Sequence, residues 1–83
     1  MPYVVEIKPL ARKKLDKAPE SYRARIIEIL GEIALDPFFG KKLSGDRKGQ
    51  YSVRVWPYRI IYIIKKTELI VLVIDFGHRQ GIY

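Results

Sequence analysis

The chain has 83 residues, of which 48% are hydrophobic and 30% are charged. This length and mixture predict one small domain over residues 1–83 with a modest core, and they argue against a disordered chain. Sixteen Lys and Arg residues face nine Asp and Glu residues, so the net charge is +7 at pH 7. Such an excess favours a polyanionic partner, which RNA, DNA, a ribosome or an acidic peptide would each satisfy.

The counts of cysteine and histidine exclude several kinds of site. The chain has no cysteine, so disulfides, thiolate zinc sites and a cysteine nucleophile are ruled out. A single histidine, His78, does not suffice for a two-histidine acid/base pair or a histidine-rich metal site, and we expect no metal and no cofactor. No apolar run approaches the roughly 20 residues of a membrane span. The N-terminus lacks a secretion signal, so we expect a cytoplasmic protein with no membrane partner.

The first half of the chain predicts one strand and a helical hairpin. Residues 3–7 are rich in β-branched side chains and predict a short strand. Pro9 suits the first turn of a short basic helix, because its missing N–H would be unpaired there. Pro19 opens a second helix, whose apolar side chains recur at three- and four-residue spacing until Asp36 and the following proline end it. Residues 16–18 connect the two helices and are few enough for a hairpin.

The second half predicts a loop, three strands and a tail. Residues 37–49 contain glycines and several basic residues and predict the loop. The strands are expected at residues 50–55, 58–64 and 69–76, and the tail at residues 77–83. The resulting order, β-α-α-β-β-β, predicts an α+β fold in which the helical hairpin packs on one face of a mainly antiparallel sheet.

Strand alternation predicts which side chains share a face of the sheet. If Trp56 and Pro57 form the tip of the first hairpin, Val55 lies opposite Tyr58. The face expected to pack on the helices then carries Tyr51, Val53, Val55, Tyr58, Ile60 and Tyr62. The second face carries Ser52, Arg54, Arg59, Ile61 and Ile63.

This register places Arg54 directly opposite Arg59 on the second face. Like charges at opposed positions repel, and such pairs shift stability by roughly 0.2–1 kcal/mol. An anion between them would replace repulsion with attraction, because both guanidinium groups can bind phosphate oxygens. Two interpretations stay open: a phosphate site, or two flexible side chains that extend into water near acidic neighbours.

The second face also carries apolar surface. Residues 69–74 are all aliphatic, so both sides of the last strand are expected to be buried, and Ile61 and Ile63 add to this surface. The two helices suffice for one face only. Either the loop at residues 37–49 covers the second face or a partner does, and we favour a partner.

Four segments follow one another in a fixed order: a Leu-x-Gly loop, a strand with basic residues, a Tyr-Arg-aliphatic-aliphatic-Tyr strand and a Gly-His-Arg…Tyr tail. In this sequence they read Leu43-Ser44-Gly45, Gly49-Gln50-Tyr51-Ser52-Val53-Arg54-Val55, Tyr58-Arg59-Ile60-Ile61-Tyr62, and Gly77-His78-Arg79 through Ile82-Tyr83. Together they resemble the RelE/ParE toxin superfamily. With the helical hairpin, the resemblance covers essentially the whole chain.

The resemblance implies the toxin of a type II toxin–antitoxin pair. RelE-like members enter the ribosomal A site and cut mRNA there, whereas ParE-like members inhibit DNA gyrase. A ribosome-dependent endoribonuclease is our first hypothesis; a gyrase inhibitor and an inactive module that only binds antitoxin or RNA are the alternatives. The partners implied are a cognate antitoxin, the ribosome with mRNA in its A site, and operator DNA through the antitoxin complex only.

The resemblance also implies roles for individual residues. Arg59 matches the family arginine that holds the scissile phosphate, and Arg79 matches the arginine assigned to transition-state charge and leaving-group protonation. Tyr83 matches the tail aromatic that stacks on a base. Arg54 stands at one of two basic strand positions where lysine is usual. Ser52 stands at the other and departs from the pattern.

The chemistry implied is attack of an RNA 2′-hydroxyl on its own phosphodiester, without a metal. Arginine suits the stabilisation of charge, but a guanidinium with a pKa above about 12 is a poor general base. Proton transfer would fall to Tyr83, to His78, or to the ribosome and mRNA themselves. His78 has a histidine's intrinsic suitability for this task, although a residue between Gly and Arg at a strand end equally suits a structural role, which we favour.

The remaining basic and aromatic residues predict RNA contacts. Phosphate binding is expected for the loop residues Lys41, Lys42, Arg47 and Lys48, and for the first-helix residues Arg12, Lys13, Lys14 and Lys17. Trp56 is a candidate for stacking on a base. For Tyr58 we expect instead a place in a hydrophobic lid on the hairpin.

Overall fold

A computed structural model of the chain describes residues 2–78. These residues form two helices, α1 (Pro9–Asp16) and α2 (Glu20–Leu35), and a five-stranded sheet. The strands are β1 (Val4–Ile7), β2 (Lys41–Lys42), β3 (Tyr51–Val55), β4 (Tyr58–Lys65) and β5 (Ile70–His78). The predicted α+β class is confirmed, with both helices contributing to the core on one side of the sheet.

Both helices begin and end within one residue of the predicted bounds. Pro9 occupies the first turn of α1, and Pro19 immediately precedes α2. The apolar stripe of α2 buries Ile26 and Leu30, together with Ile33, against the sheet. Asp36 follows the last helical residue and accepts a 3.3 Å hydrogen bond from the backbone N–H of Phe38. This bond satisfies a donor at the start of the next turn, so the chain leaves the helix abruptly. No helix within residues 2–78 has both the length and the apolarity to cross a membrane.

The sheet has the strand order β1-β5-β4-β3-β2. β1 runs parallel to β5 and the other neighbours are antiparallel, which confirms the mainly antiparallel prediction. The predicted hairpin register is also confirmed, because Arg54 pairs with Arg59 and Val55 with Tyr58. Between β4 and β5 the register shifts: Ile61 pairs with Asp75, whereas the next residue, Tyr62, pairs with Val73. Ile74 is therefore the extra residue of a β-bulge.

The prediction of a plain loop over residues 37–49 is wrong in detail. This segment contains β2 and two short 3₁₀ turns, Pro37–Phe39 and Gly45–Arg47. β2 is two lysines at the edge of the sheet, too short to show any alternation of apolar and polar residues. Lysine is also disfavoured within strands generally and common at exposed edges, so composition did not indicate a strand here.

The core lies between the helices and the face of the sheet predicted to meet them. Every residue assigned to that face belongs to this core or packs against it. Tyr62 is fully buried, and its hydroxyl donates a 2.8 Å hydrogen bond to the carbonyl oxygen of Pro37. Burial raises the pKa of Tyr62 to about 12. A Cβ added at Gly40 would meet this hydroxyl, so glycine is required where the chain crosses Tyr62. These contacts fix the start of the 37–49 segment to the sheet.

The second face is covered only in part. Ile61 is fully buried, although it does not belong to the helix-side core. Its partner Asp75 is contacted by Arg47 from the 37–49 segment, so the segment crosses this part of the face. Ile63 and Leu72 pair with each other further along and stay partly exposed. The loop therefore covers one region of the second face, and an apolar strip is left beside it.

Candidate functional site

Two arginines stand side by side on the face of the sheet that the helices leave open. Arg54 of β3 and Arg59 of β4 are direct partners in the antiparallel ladder, and Arg59 is paired on its other side with Gly77 of β5. Arg54 is exposed and Arg59 is partly buried. Gly77 adds no side chain to this row, which therefore carries two cationic side chains on neighbouring strands.

The guanidinium of Arg59 is oriented by its neighbour Ser52. Nη1 of Arg59 donates a 3.1 Å hydrogen bond to Oγ of Ser52, which is itself only 3% exposed. Nε of Arg59 is also buried. An arginine held in this way loses less side-chain freedom when it binds an anion, and a preorganised donor costs less to align. Ser52, which departs from the family's basic residue, thus positions an arginine and is not itself presented to solvent.

Arg59 also lines a groove of about 450 Å³ on the second face. Lys41 borders this groove and pairs with Ser52, which places it in the row next to the arginine pair. The other lining residues are Lys42, Leu43, Ser44, Asp46 and Arg47. Four of the lining side chains are cations and one is an acid, a composition suited to binding phosphate groups. The structure thus brings together four predicted site residues, Arg59, Lys41, Lys42 and Arg47.

Arg47 is fixed at the groove by two neighbours. Its Nη1 donates a 2.8 Å hydrogen bond to Oε1 of Gln50, and its Nη2 lies 3.7 Å from Oδ2 of Asp75. Oδ1 of Asp75 accepts a 2.9 Å hydrogen bond from Nζ of Lys14 on α1. Asp75 therefore ties the Gly45–Arg47 turn and α1 to β5. Neither Asp75 nor Gln50 was predicted as a site residue; the sequence signal for Asp75 is an acid directly after the aliphatic residues 69–74.

His78 lies on the opposite side of the sheet from Arg59. It pairs with Tyr58, and the two rings are 5.9 Å apart between centroids in an edge-to-face arrangement. Tyr58 packs in turn against Tyr22 of α2 and Phe76, with centroid distances of 5.4 and 5.1 Å. Tyr58 is thus part of the packing under the helices, as predicted. His78 borders a separate groove with Lys14 and Lys17 of α1 and is not brought to the arginine pair.

The other predicted site residues are dispersed. Trp56 is 59% exposed at the tip of the β3–β4 hairpin. Lys48 borders an apolar groove that also contains Phe38, and Lys42 lies between the two grooves. Arg79 and Tyr83 lie outside the described residues. Among residues 2–78, His, Asp and Glu side chains nowhere form a group of three that could hold a metal ion.

Two of the first-helix residues predicted to contact RNA form ion pairs within the chain. Nε of Arg12 lies 3.7 Å from Oδ1 of Asp16, one helical turn away, and both side chains are well exposed. Lys14 is held by Asp75. Lys13 and Lys17 are exposed. Lys14 shares Asp75 with Arg47 of the groove, so the two basic regions meet at that carboxylate.

Comparison with known proteins identifies relatives along the whole chain. A family model described as the ParE toxin of the type II toxin–antitoxin system parDE matches residues 5–83. Toxin RelG of Mycobacterium tuberculosis (strain ATCC 25618 / H37Rv) is 33% identical over 85 residues, which cover 100% of this chain and 98% of RelG.

Solved structures show the same fold. A chain in the crystal structure of the toxin–antitoxin complex RelBE2 from Mycobacterium tuberculosis superposes with a TM-score of 0.88 at 31% identity, covering 95% of this chain and 100% of that one. A chain of the archaeal RelE–RelB complex from Pyrococcus horikoshii gives a TM-score of 0.81 at 25% identity, covering 100% of both. The sequence resemblance, the sheet order and these relatives agree, and the chain belongs to the RelE/ParE family of type II toxin–antitoxin toxins.

Proposed function

We propose that this toxin is a ribosome-dependent endoribonuclease that cleaves mRNA in the ribosomal A site. The observation that supports the proposal is the Arg54–Arg59 pair on the open face of the sheet, next to a groove bordered by Lys41 and Arg47. Two directly opposed arginines cost stability unless an anion lies between them. A single-stranded RNA backbone supplies that anion.

The arginines suit a reaction in which a phosphate gains negative charge. In the proposed reaction the 2′-hydroxyl oxygen attacks the adjacent phosphorus, and the bond to the 5′-oxygen breaks. Arg59, held by Ser52, would donate to the phosphate oxygens that gain charge in the transition state, and Arg54 would assist it. By resemblance, Arg79 adds a second guanidinium at the leaving oxygen and Tyr83 stacks on a base.

In the proposed reaction the ribosome holds the mRNA in the bent conformation that cleavage requires. In-line attack requires the nucleotide to be bent, and holding reactants in the correct geometry can account for several kcal/mol of a barrier. His78, which has a histidine's suitability for acid/base chemistry, lies across the sheet from Arg59. A chain that supplies mainly charge stabilisation depends on another body to position the RNA. Lys48 and the basic surface of α1 are available for ribosomal RNA phosphates, and Trp56 for stacking.

The proposed protein partner is a cognate antitoxin. Both solved relatives described above were crystallised as toxin–antitoxin or RelE–RelB complexes. The partly exposed strip around Ile63 and Leu72 is apolar surface that a partner would bury. Contact with operator DNA is proposed only for the toxin–antitoxin complex.

Cell-free translation of a defined mRNA, with primer extension to map cuts, tests the proposed activity. The unmodified chain is compared with Arg59→Ala and with Arg25→Ala, which removes the same charge from an exposed position on α2. We expect cuts in phase with codons, present only with ribosomes, retained in Arg25→Ala and lost in Arg59→Ala. Intact mRNA with the unmodified chain would refute the proposal.

A second candidate function is inhibition of DNA gyrase. Two observations favour it: the matching family model is that of a ParE toxin, and Ser52 occupies a strand position where ribosome-dependent relatives usually carry lysine. This candidate predicts that the chain blocks supercoiling by purified gyrase and leaves mRNA intact in the translation reaction. Normal supercoiling in the presence of the chain would refute it.

A further inference from the structure

Two carboxylates lie at or beside the groove that Arg59 lines, and within residues 2–78 only one of them is engaged. Asp75 is contacted by Lys14, by Arg47 and by the backbone N–H of Phe76. Asp46 is exposed on the Gly45–Arg47 turn and lines the groove with Arg59, yet its carboxylate forms no hydrogen bond or ion pair within residues 2–78. Asp46 is the one acid among the side chains that line this groove, so its carboxylate oxygens are available to a ligand bound there.

The turn that presents Asp46 is held in place. The adjacent residue Arg47 is bound by Gln50 and Asp75, as described above. Gly45 and Gly49 adopt φ values of +65° and +91°, which glycine tolerates best, and they bracket the turn. The backbone of Asp46 is therefore part of a segment that Arg47 ties to β5.

Asp46 also has a chemical property that the cations of the groove lack. Protonated arginine and lysine side chains only donate hydrogen bonds, whereas a carboxylate accepts them. Aspartate and glutamate are among the side chains that act as general bases. The groove thus contains charged donors for the phosphate, and Asp46 is the acid among its lining residues that can receive a proton.

We propose that Asp46 is the general base of RNA cleavage, an inference that rests on the proposed endoribonuclease function. The carboxylate of Asp46 takes the proton of the 2′-hydroxyl as the 2′-oxygen forms its bond to phosphorus. The bond between phosphorus and the 5′-oxygen breaks, and that oxygen leaves with the electron pair and takes a proton from water in the open groove. The products are a 2′,3′-cyclic phosphate and a 5′-hydroxyl, and Asp46 returns its proton to water.

If Asp46 were only a solvated charge, its neutralisation would change the cleavage rate in the opposite direction. A carboxylate in a cationic groove repels the RNA phosphates, so its neutralisation would tighten binding and leave cleavage equal or faster. If Asp46 is the base, neutralisation tightens binding but slows the chemical step. General-base catalysis typically contributes 10²–10⁴-fold, so the loss in rate outweighs the gain in affinity.

The test uses purified ribosomes programmed with mRNA and excess toxin. Single-turnover cleavage is measured with ordinary mRNA, and binding is measured with mRNA whose A-site codon carries 2′-deoxynucleotides and therefore cannot react. The variants are Asp46→Asn, Asp46→Glu and Glu68→Gln, the last of which removes one negative charge from an exposed turn outside the groove.

We expect Asp46→Asn to lower the single-turnover rate by about 100-fold or more while its Kd for the unreactive complex stays equal or falls. Asp46→Glu should recover part of the rate, and Glu68→Gln should cleave like the unmodified chain. Cleavage by Asp46→Asn at or above the unmodified rate would overturn the inference and leave the proposed function standing. Absence of cleavage by the unmodified chain would overturn both.

Discussion

Tyr62→Phe removes one oxygen atom from the centre of the molecule. The lost hydroxyl donates a 2.8 Å hydrogen bond to the carbonyl oxygen of Pro37, and Tyr62 is fully buried. The substitution leaves that carbonyl without this donor, which typically costs about 1–2 kcal/mol. Pro37 begins the segment that carries Lys41, Asp46 and Arg47, so the same bond supports the border of the groove.

The pH dependence of this effect follows from the buried hydroxyl. Burial raises the pKa of Tyr62 from 10.0 to about 12, so the folded protein favours the neutral phenol. The stability gained from the neutral phenol is fully present below pH 10 and is lost as the pH rises to 12, because the tyrosine ionises first in the unfolded chain. Two pKa units correspond to about 3 kcal/mol. The stability advantage of Tyr62 over Tyr62→Phe should therefore shrink above pH 10 and vanish near about pH 11.

Urea unfolding of both chains at pH 7, 9, 10 and 11 measures the difference directly. Tyr22→Phe is the control, because Tyr22 is on the surface of α2 with an exposed fraction of 37%. Comparing each variant with the unmodified chain cancels the titration of the other tyrosines and lysines. A stability difference for Tyr62→Phe that stays constant from pH 9 to pH 11 would refute the argument that burial controls this hydroxyl.

Three further substitutions test separate contacts in the structure. Gly40→Ala should lower the free energy of unfolding by about 1–3 kcal/mol in urea, since the new Cβ meets the Tyr62 hydroxyl and lies 3.1 Å from Cγ2 of Val53; an unchanged midpoint would contradict this. Arg54→Ser should raise it by about 0.2–1 kcal/mol by removing a like-charge pair, and the gain should fall in high salt; a loss of stability would show that the arginines do not repel. Asp75→Asn should speed amide hydrogen exchange in residues 45–50 by releasing Arg47, while β4 exchanges as before; unchanged exchange in that turn would show that Asp75 does not hold it.

The arginine pair was predictable because local signals set the hairpin register. Trp56 and Pro57 marked the tip, and strand alternation assigned each neighbouring residue to a face. The structure confirms Arg54 opposite Arg59 and the helix-side face of β3 and β4. Helix boundaries were equally accessible, since prolines mark the start of both helices and the end of α2.

The arrangement around β5 was not predictable from alternation. Val71 and Val73 lie in the core, and strict alternation would have sent Asp75 to the same side. The bulge at Ile74 reverses the later residues, so that Phe76 enters the core and His78 follows it onto the helix side. Residues 69–74 are all aliphatic, so they show no alternation of apolar and polar side chains that a bulge could interrupt.

The contacts that fix the groove were also beyond sequence reasoning. Lys14 and Asp75 are 61 residues apart, and their pairing depends on the course of α1 past the end of β1. The turn that presents Asp46 and Arg47 is a three-residue 3₁₀ element, too short for a periodic signal. The charged residues are visible in the sequence, whereas their proximity to one another depends on the complete fold.

The proposed ribonuclease activity requires the Arg54–Arg59 face of this toxin to bind the scissile phosphate of mRNA on the ribosome. Electron cryo-microscopy of the chain bound to a ribosome with a 2′-deoxy A-site codon would show whether it does. We expect a guanidinium nitrogen of Arg59 within about 3 Å of an oxygen of the phosphate that follows the unreactive nucleotide. A complex in which mRNA lies instead against the His78 side of the sheet, or one in which the toxin does not occupy the A site, would contradict it.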